Sequence, residues 1–182
     1  MRKSMLSENR RALSLAVPII SGHLGLSQAV CVRVGQARGA GRTERLRPII
    51  FGALGLAVAF MSVFVVVSMM RGKSIAGWFV ADPAVVSLTA KLLLVAGIFQ
   101  IFDGIQVVSS GALRGFEDTR MPMFIGIFSY WIVALPVSWF DGFVLGGGAR
   151  GVWFGFVVGL AVAAATLLSR VFWKLSGAEP RA

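Results

Sequence analysis

Residues 49 to 70, "IIFGALGLAVAFMSVFVVVSMM", hold no charge and no proline, and this run constrains the chain more than any other feature. A stretch of about 20 apolar residues is the length at which an α-helix crosses a hydrocarbon core. A helix that is apolar on every side has no polar face to offer water, so lipid is the natural solvent. Three more runs of similar length follow, at 92–113, 123–145 and 151–173, and a fifth, residues 12–34, is interrupted by Pro18, His23 and small polar residues. Together they predict an all-α membrane protein of about five transmembrane helices, with the bilayer as its first partner.

Composition agrees. Hydrophobic residues make up 57% of the chain and charged ones 14%, and the mean hydropathy is +0.81. The net charge of +10 would suggest nucleic acid in a soluble protein. Here the basic residues gather instead in the N-terminal run, the connectors and the tail, as in the loops of membrane proteins, and a nucleic-acid partner is not expected. One cysteine, Cys31, and one histidine, His23, leave no disulfide, no Cys-based metal cluster and no catalytic triad to build. Both are read as packing residues, no enzyme activity, cofactor or resident metal is expected, and the function must lie elsewhere.

The connectors are "GQARGAGRTERLRP" (35–48), 71–91, "RGFEDTRMP" (114–122) and "DGFVLGGGAR" (141–150). Within 71–91, "IAGWFVADPAVVSLTA" is apolar enough to lie along the membrane interface, with Trp78 as an anchor. The glycine-rich 35–48 segment matches neither phosphate-loop nor dinucleotide patterns, because Ala40 stands where the first needs glycine and "GAGRTE" ends in Glu44. In the 123–145 run, Pro136 is expected to kink the helix and Asp141 to mark its end.

Asp103 is the chemical anomaly, a lone carboxylate within residues 92–113. Gln100, Asp103, Gln106 and Ser110 follow helical spacing and form one polar stripe. Gly97, Gly104 and Gly111 repeat every seven residues and form a second, flat stripe that lets another helix approach closely. A carboxylate at the bilayer centre is costly on an isolated helix, so Asp103 is expected to face a bundle interior or a watered cavity. There a proton or a bound cation can neutralise it, which is the property a coupled transporter requires. The bland alternative is a hydrogen bond between helices. Tyr130 and Trp131, mid-span in the next helix, are candidate cavity-lining residues for a flat cationic ligand, or else core packing. Gly151, Gly155 and Gly159, extended by Ala163, form a further packing stripe.

Charge placement sets a puzzle. Arg2, Lys3, Arg10 and Arg11 precede residues 12–34, while Arg38, Arg42, Arg45 and Arg47 follow them. If residues 12–34 cross the membrane, the two basic clusters fall on opposite sides, against the usual cytoplasmic bias of positive charge.

These motifs together resemble the MATE (multidrug and toxic compound extrusion) family of cation-coupled efflux antiporters. "LSQAVCVRVGQARGAG" (26–41) resembles the end of the family's eighth helix and its loop, and "FQIFDGIQVVSSGALRGFEDTRMP" (99–122) resembles the tenth helix and the loop after it. "YWIVALPVSW" (130–139) and "GARGVWFGFVVGLA" (148–161) are similar to helices eleven and twelve. The resemblance implies a C-terminal lobe over residues 27–182, with Asp103 as the cation-coupling acid and Na+ or H+ as the coupling ion. It further implies organic cations or drugs as substrates and a multi-pass place in the cell's inner membrane. Residues 1–26 are expected to form a separate basic segment, because "ENRRALSLAVPIISGHLGL" (8–26) resembles the start of the family's first helix. On that reading most of the first lobe is deleted and two half-helices join near Gly25 to Gln28, which also removes the charge conflict. Transport would then need the missing lobe or a second copy of the chain. The competing expectation is a membrane protein that transports nothing and acts only through helix packing.

Overall fold

The structure, a computed structural model, describes residues 24–77 and 83–178. Every regular element among them is helical. Helix α1 covers residues 24–39, and a single 3-10 turn, Thr43–Arg45, leads into α2, Leu46–Gly77. Helix α3 is Pro83–Gly115, α4 runs over Arg120–Val144, and α5 is Gly148–Ala178. The last four contain stretches long and apolar enough to cross a membrane: Thr43–Gly72, Ala96–Gly115, Arg120–Val144 and Arg150–Ala178. The expected span 12–34 and the basic segment 1–26 lie mostly outside the described residues, and of them only the stretch from residue 24 is seen, as the beginning of α1.

The connectors are shorter than the sequence suggests. Residues 71–77 complete α2 and residues 83–91 begin α3, and the rest of the expected interfacial segment, residues 78–82 with the anchor Trp78, lies outside the described residues. Pro83 accounts for one edge of this change: at a helix's first position its missing N–H has no bond to lose and its fixed φ suits the helix. At about 1.5 Å per residue, α2 and α3 are each far longer than a 30 Å hydrocarbon core needs. Both must tilt or project beyond it.

Two helices end in the same hydrogen-bonded cap. After α1, Gly41 N–H donates to the Arg38 carbonyl at 3.0 Å and Arg42 N–H to the Ala37 carbonyl at 2.9 Å. After α3, Glu117 N–H donates to the Arg114 carbonyl and Asp118 N–H to the Leu113 carbonyl, each at 2.9 Å. This paired arrangement needs a left-handed residue at its centre, normally glycine. Gly41 supplies it at φ 69°, whereas α3 uses Glu117 at φ 63°.

The best-filled core lies at the end of the bundle that carries these two caps. Val34, Leu46, Ile50, Val108, Leu113, Leu167 and Val171 are almost wholly buried there, drawn from α1, α2, α3 and α5. Elsewhere large apolar side chains point outward, among them Phe60, Met70, Trp139 and Phe143. Lipid is as apolar as these side chains, so helices gain little by hiding them and associate instead through close packing and hydrogen bonds.

Helix α4 is irregular. It begins as α-helix (Arg120–Ile127), widens to π-helix over Phe128–Ala134, returns to α over Leu135–Trp139 and widens again over Phe140–Val144. Pro136 sits in the first turn of the Leu135–Trp139 segment. Proline cannot donate to the carbonyl four residues earlier, and a wider turn just before it is one way to accommodate that lost bond within a membrane. The expected disturbance at Pro136 thus takes the form of wide turns on either side. Asp141 falls inside the last of them, and α4 stops at Val144.

Candidate functional site: the Asp103 stripe between helices

The spacing that places Gln100, Asp103, Gln106 and Ser110 on one face of α3 holds, since α3 is regular throughout. All four side chains are half-buried. Tyr130, on the first wide turn of α4, donates its hydroxyl to Gln106 Oε1 at 3.0 Å, tying α3 to α4. The Asp103 carboxylate, one turn before Gln106, is within electrostatic reach of that same hydroxyl. Phe99, next to Gln100, meets the Trp153 ring edge-on at 6.4 Å, which brings α5 to this level of α3. The structure therefore gathers Asp103, Gln106 and Tyr130 into one polar group between helices. Trp131 is not part of it: the ring is 69% exposed and points away from the bundle.

The glycine stripe of α3 faces the other way. A side chain at Gly97 would meet Val65, one at Gly104 would meet Ala57 and Met61, and one at Gly111 would meet the backbone and hydroxyl of Ser27. Gly97 and Gly104 therefore seat α2, and Gly111 seats α1. A cavity of about 440 Å³ opens on this side, lined by residues such as Gly25, Ala29, Leu56, Phe60, Gly104 and Val108. Asp103 is not among its walls, so the expectation that the carboxylate faces a cavity is not met by this one, which is apolar. Gly104, the neighbour of Asp103, is turned about 100° from it round the helix and belongs to the glycine face.

Helix α5 shows the second small-residue contact. A side chain at Gly151 would collide with Asp141 and Gly142, one at Gly155 with Ser138, and one at Gly159 with Ala134 and Ser129. The partner stripe on α4 is Ser129, Ala134, Ser138 and Gly142, all buried. Ser138 Oγ adds a hydrogen bond to the Val152 carbonyl at 2.9 Å. Sequence reading finds the α5 half of this contact and misses the α4 half. Ser129 and Ala134 are five apart, a spacing that one face of an α-helix does not produce but a π-helical turn does.

Two polar ties at the capped end also escaped the sequence. Ser27 is buried on α1, where its hydroxyl donates to the Val107 carbonyl and accepts from Arg114 Nη2, both at 2.8 Å. Asp118, in the loop after α3, accepts from Arg170 Nε at 3.0 Å and lies 3.4 Å from Lys174 Nζ, its side chain only 8% exposed. Burial pushes the Asp118 carboxyl upward, but the Arg170 hydrogen bond, the charges of Lys174 and Arg170 and the Met121 N–H outweigh it and hold the group below its ordinary 3.8. Arg170 also lies over the Trp173 ring, 4.3 Å from its centre. The mixed signs of "RGFEDTRMP" are the legible trace of this latch; its partners, more than 50 residues away, are not.

A bundle with four apolar spanning stretches, joined by small-residue contacts and holding an acid between its helices, belongs to the class of multi-pass membrane proteins. The MatE family model matches residues 10–140, and the chain belongs to the MATE family. It is 42% identical to the multidrug resistance protein NorM of Burkholderia vietnamiensis over 183 residues, covering 97% of this chain and 40% of that protein. The probable multidrug resistance protein NorM of Agrobacterium fabrum is 43% identical over 169 residues, 87% of this chain and 35% of that protein. Among solved structures, the inward-facing conformation of a multidrug resistance MATE family transporter superposes with a TM-score of 0.79 and 20% identity over 92% of this chain and 39% of that one, and the outward-facing conformation of a multidrug resistance MATE family transporter with a TM-score of 0.80 and 20% identity over 96% of this chain and 39% of that one. The chain thus spans about 40% of the length of the Burkholderia relative.

Proposed function

We propose that the chain forms one lobe of a multidrug efflux antiporter of the cell's inner membrane, exchanging Na+ or H+ for organic cations. Asp103 is the coupling carboxylate, and Gln100, Gln106 and Tyr130 are its polar support. The observation that carries this reading is the grouping of Asp103, Gln106 and Tyr130 on a face of α3 separate from its glycine stripe. Membership of the MATE family and the multidrug resistance names of its relatives support it. An acid so placed can be charged, protonated or cation-bound, and each state differs in how much it disfavours a dry environment. That difference is what links cation occupancy to the position of a helix.

Charge placement supports an orientation. Arg38, Arg42, Arg45, Arg47, Arg114, Arg120, Arg170 and Lys174 lie toward the capped end, with Arg71, Lys73, Lys91 and Arg150 toward the other. The capped end is therefore cytoplasmic under the positive-inside bias. Alternating access needs a second lobe against which this one moves. That lobe comes from further chain, as in the longer relatives, or from a second copy.

The test is resistance to cationic drugs in bacteria stripped of their own efflux pumps. Cells expressing the chain, alone or with a MATE first lobe, are expected to gain resistance, and Asp103→Asn to remove it at unchanged membrane level. Equal resistance from the Asp103→Asn chain would end the coupling role. No resistance from either arrangement would leave the packing-only reading.

A further inference from the structure

At the capped end, α1 and the start of α2 enclose a cavity of about 260 Å³ that the transport reading does not use. Arg33, Gln36, Arg42 and Arg45 line it, with Ala37 and Ile49 among its apolar walls. Arg33 and Gln36 share a face of α1, whereas Arg42 and Arg45 come from the turn between the helices. Gly41, in its left-handed conformation, reverses the chain so that the turn faces back toward α1. Three guanidinium-bearing residues thus converge from two sides.

Their surroundings leave this charge uncompensated. Among the described residues, none of Arg33, Arg42 and Arg45 is paired with an acid, although Glu44 stands in the same turn. The other acids at this end are engaged elsewhere, Glu117 with Arg38 and Asp118 with Arg170 and Lys174. Like charges held together repel one another, and these exposed side chains are open to an anion arriving from outside. The depth of the site says what relieves it. The spanning stretch of α2 begins at Thr43, so Arg42 and Arg45 stand at the membrane surface. Arg33 lies six residues before residue 39, the last of α1, or about 9 Å deeper at 1.5 Å per residue.

We propose that this cavity binds the phosphate of an anionic phospholipid headgroup, with Arg33, Arg42 and Arg45 as its ligands and Ala37 and Ile49 against the upper acyl chain. Guanidinium groups match phosphate oxygens in pairs, and basic pockets between helices at the cytoplasmic face are suited to anionic headgroups. A free phosphate offers the same oxygens but has no use for the apolar walls. The proposal does not depend on transport, since the site shares no residue with the Asp103 group.

The full chain, purified in detergent, is the material for the test, with native mass spectrometry counting retained phosphatidylglycerol or phosphatidylcholine. Phosphatidylglycerol is expected to be retained at least tenfold better than phosphatidylcholine. The combined Arg33→Gln, Arg42→Gln, Arg45→Gln variant is expected to lose that preference, and Arg150→Gln, at the other end, to keep it. If the triple variant does not stay monodisperse, Arg42→Gln alone serves, because it alters only an exposed turn residue, with a several-fold loss expected. Equal retention of the two lipids, an unchanged preference in the variants, or displacement of the lipid by millimolar inorganic phosphate would each overturn the proposal. Retention undisturbed by inorganic phosphate supports the lipid as occupant.

Discussion

Helix α3 and helix α5 both carry a stripe of glycines, yet the two stripes stand beside different chemistry. Along α5, Gly151, Gly155 and Gly159 press against a stripe of small residues on α4, and the contact holds only small side chains and backbone. Along α3, Gly97, Gly104 and Gly111 seat α2 and α1, while a separate face bears Asp103, Gln106 and the bond to Tyr130. The α4–α5 contact is a joint that resists change. Helix α3 is a joint on one face and bears a polar group on another, so under the proposed function a change in the state of Asp103 would act on a helix already held in register. The difference teaches that small-residue packing and the intramembrane acid are separate devices, and that only the second is expected to govern flux.

The largest effect that would test this separation comes from adding one methyl group. Alanine is a better helix former than glycine by about 1 kcal/mol. Gly155→Ala should nevertheless destabilise the protein by at least about 2 kcal/mol, because the new Cβ collides with the Ser138 backbone. Gly52→Ala, where nothing lies within 4 Å, should instead stabilise it by up to about 1 kcal/mol. Thermal unfolding in detergent reads both, and the two signs must differ.

Asp118→Asn comes next. It removes the charge that pairs with Arg170 and Lys174, with an expected loss of about 1–3 kcal/mol measured by the same unfolding. Because the folded carboxyl is held below its ordinary 3.8, its contribution is present above that pH and fades as the pH falls through the lower folded value. The unmutated protein should therefore lose stability below about pH 4, and Asp118→Asn should lose less over the same range. The smallest effect is at the α3 cap. Glu117→Gly relieves a left-handed glutamate and should stabilise by up to about 1 kcal/mol. The lost ion pair with Arg38 subtracts little from that gain, since Glu117 is 86% exposed.

Much of this architecture was legible in the chain. Runs of apolar residues placed α2 through α5 to within a turn or so at the loop ends facing residues 116–119 and 145–147, and regular spacing put Asp103 with Gln100 and Gln106 on one face of α3. Legibility failed where the helix was not an α-helix. The wide turns of α4 shift every side chain after Phe128, so Ser129 and Ala134 come to share a face and Trp131 turns outward beside an inward Tyr130. It also failed at residues 71–77 and 83–91, which read as connector and belong to the long ends of α2 and α3. Nothing in the local pattern distinguishes a helix that continues past the hydrocarbon from one that stops at its edge. Pairings between distant segments, such as Asp118 with Arg170, leave no periodic signal at all.

The most direct test of the central claim is whether Asp103 takes up and releases a cation within the membrane. A hydrophobic carbodiimide reacts with protonated carboxyls in apolar surroundings, and peptide mapping locates the product. Labelling is predicted at Asp103 in membranes holding the chain together with a MATE first lobe, with a several-fold decrease when Na+ or an organic cation is added. Absence of label at Asp103, or labelling that neither cation changes, would contradict the account.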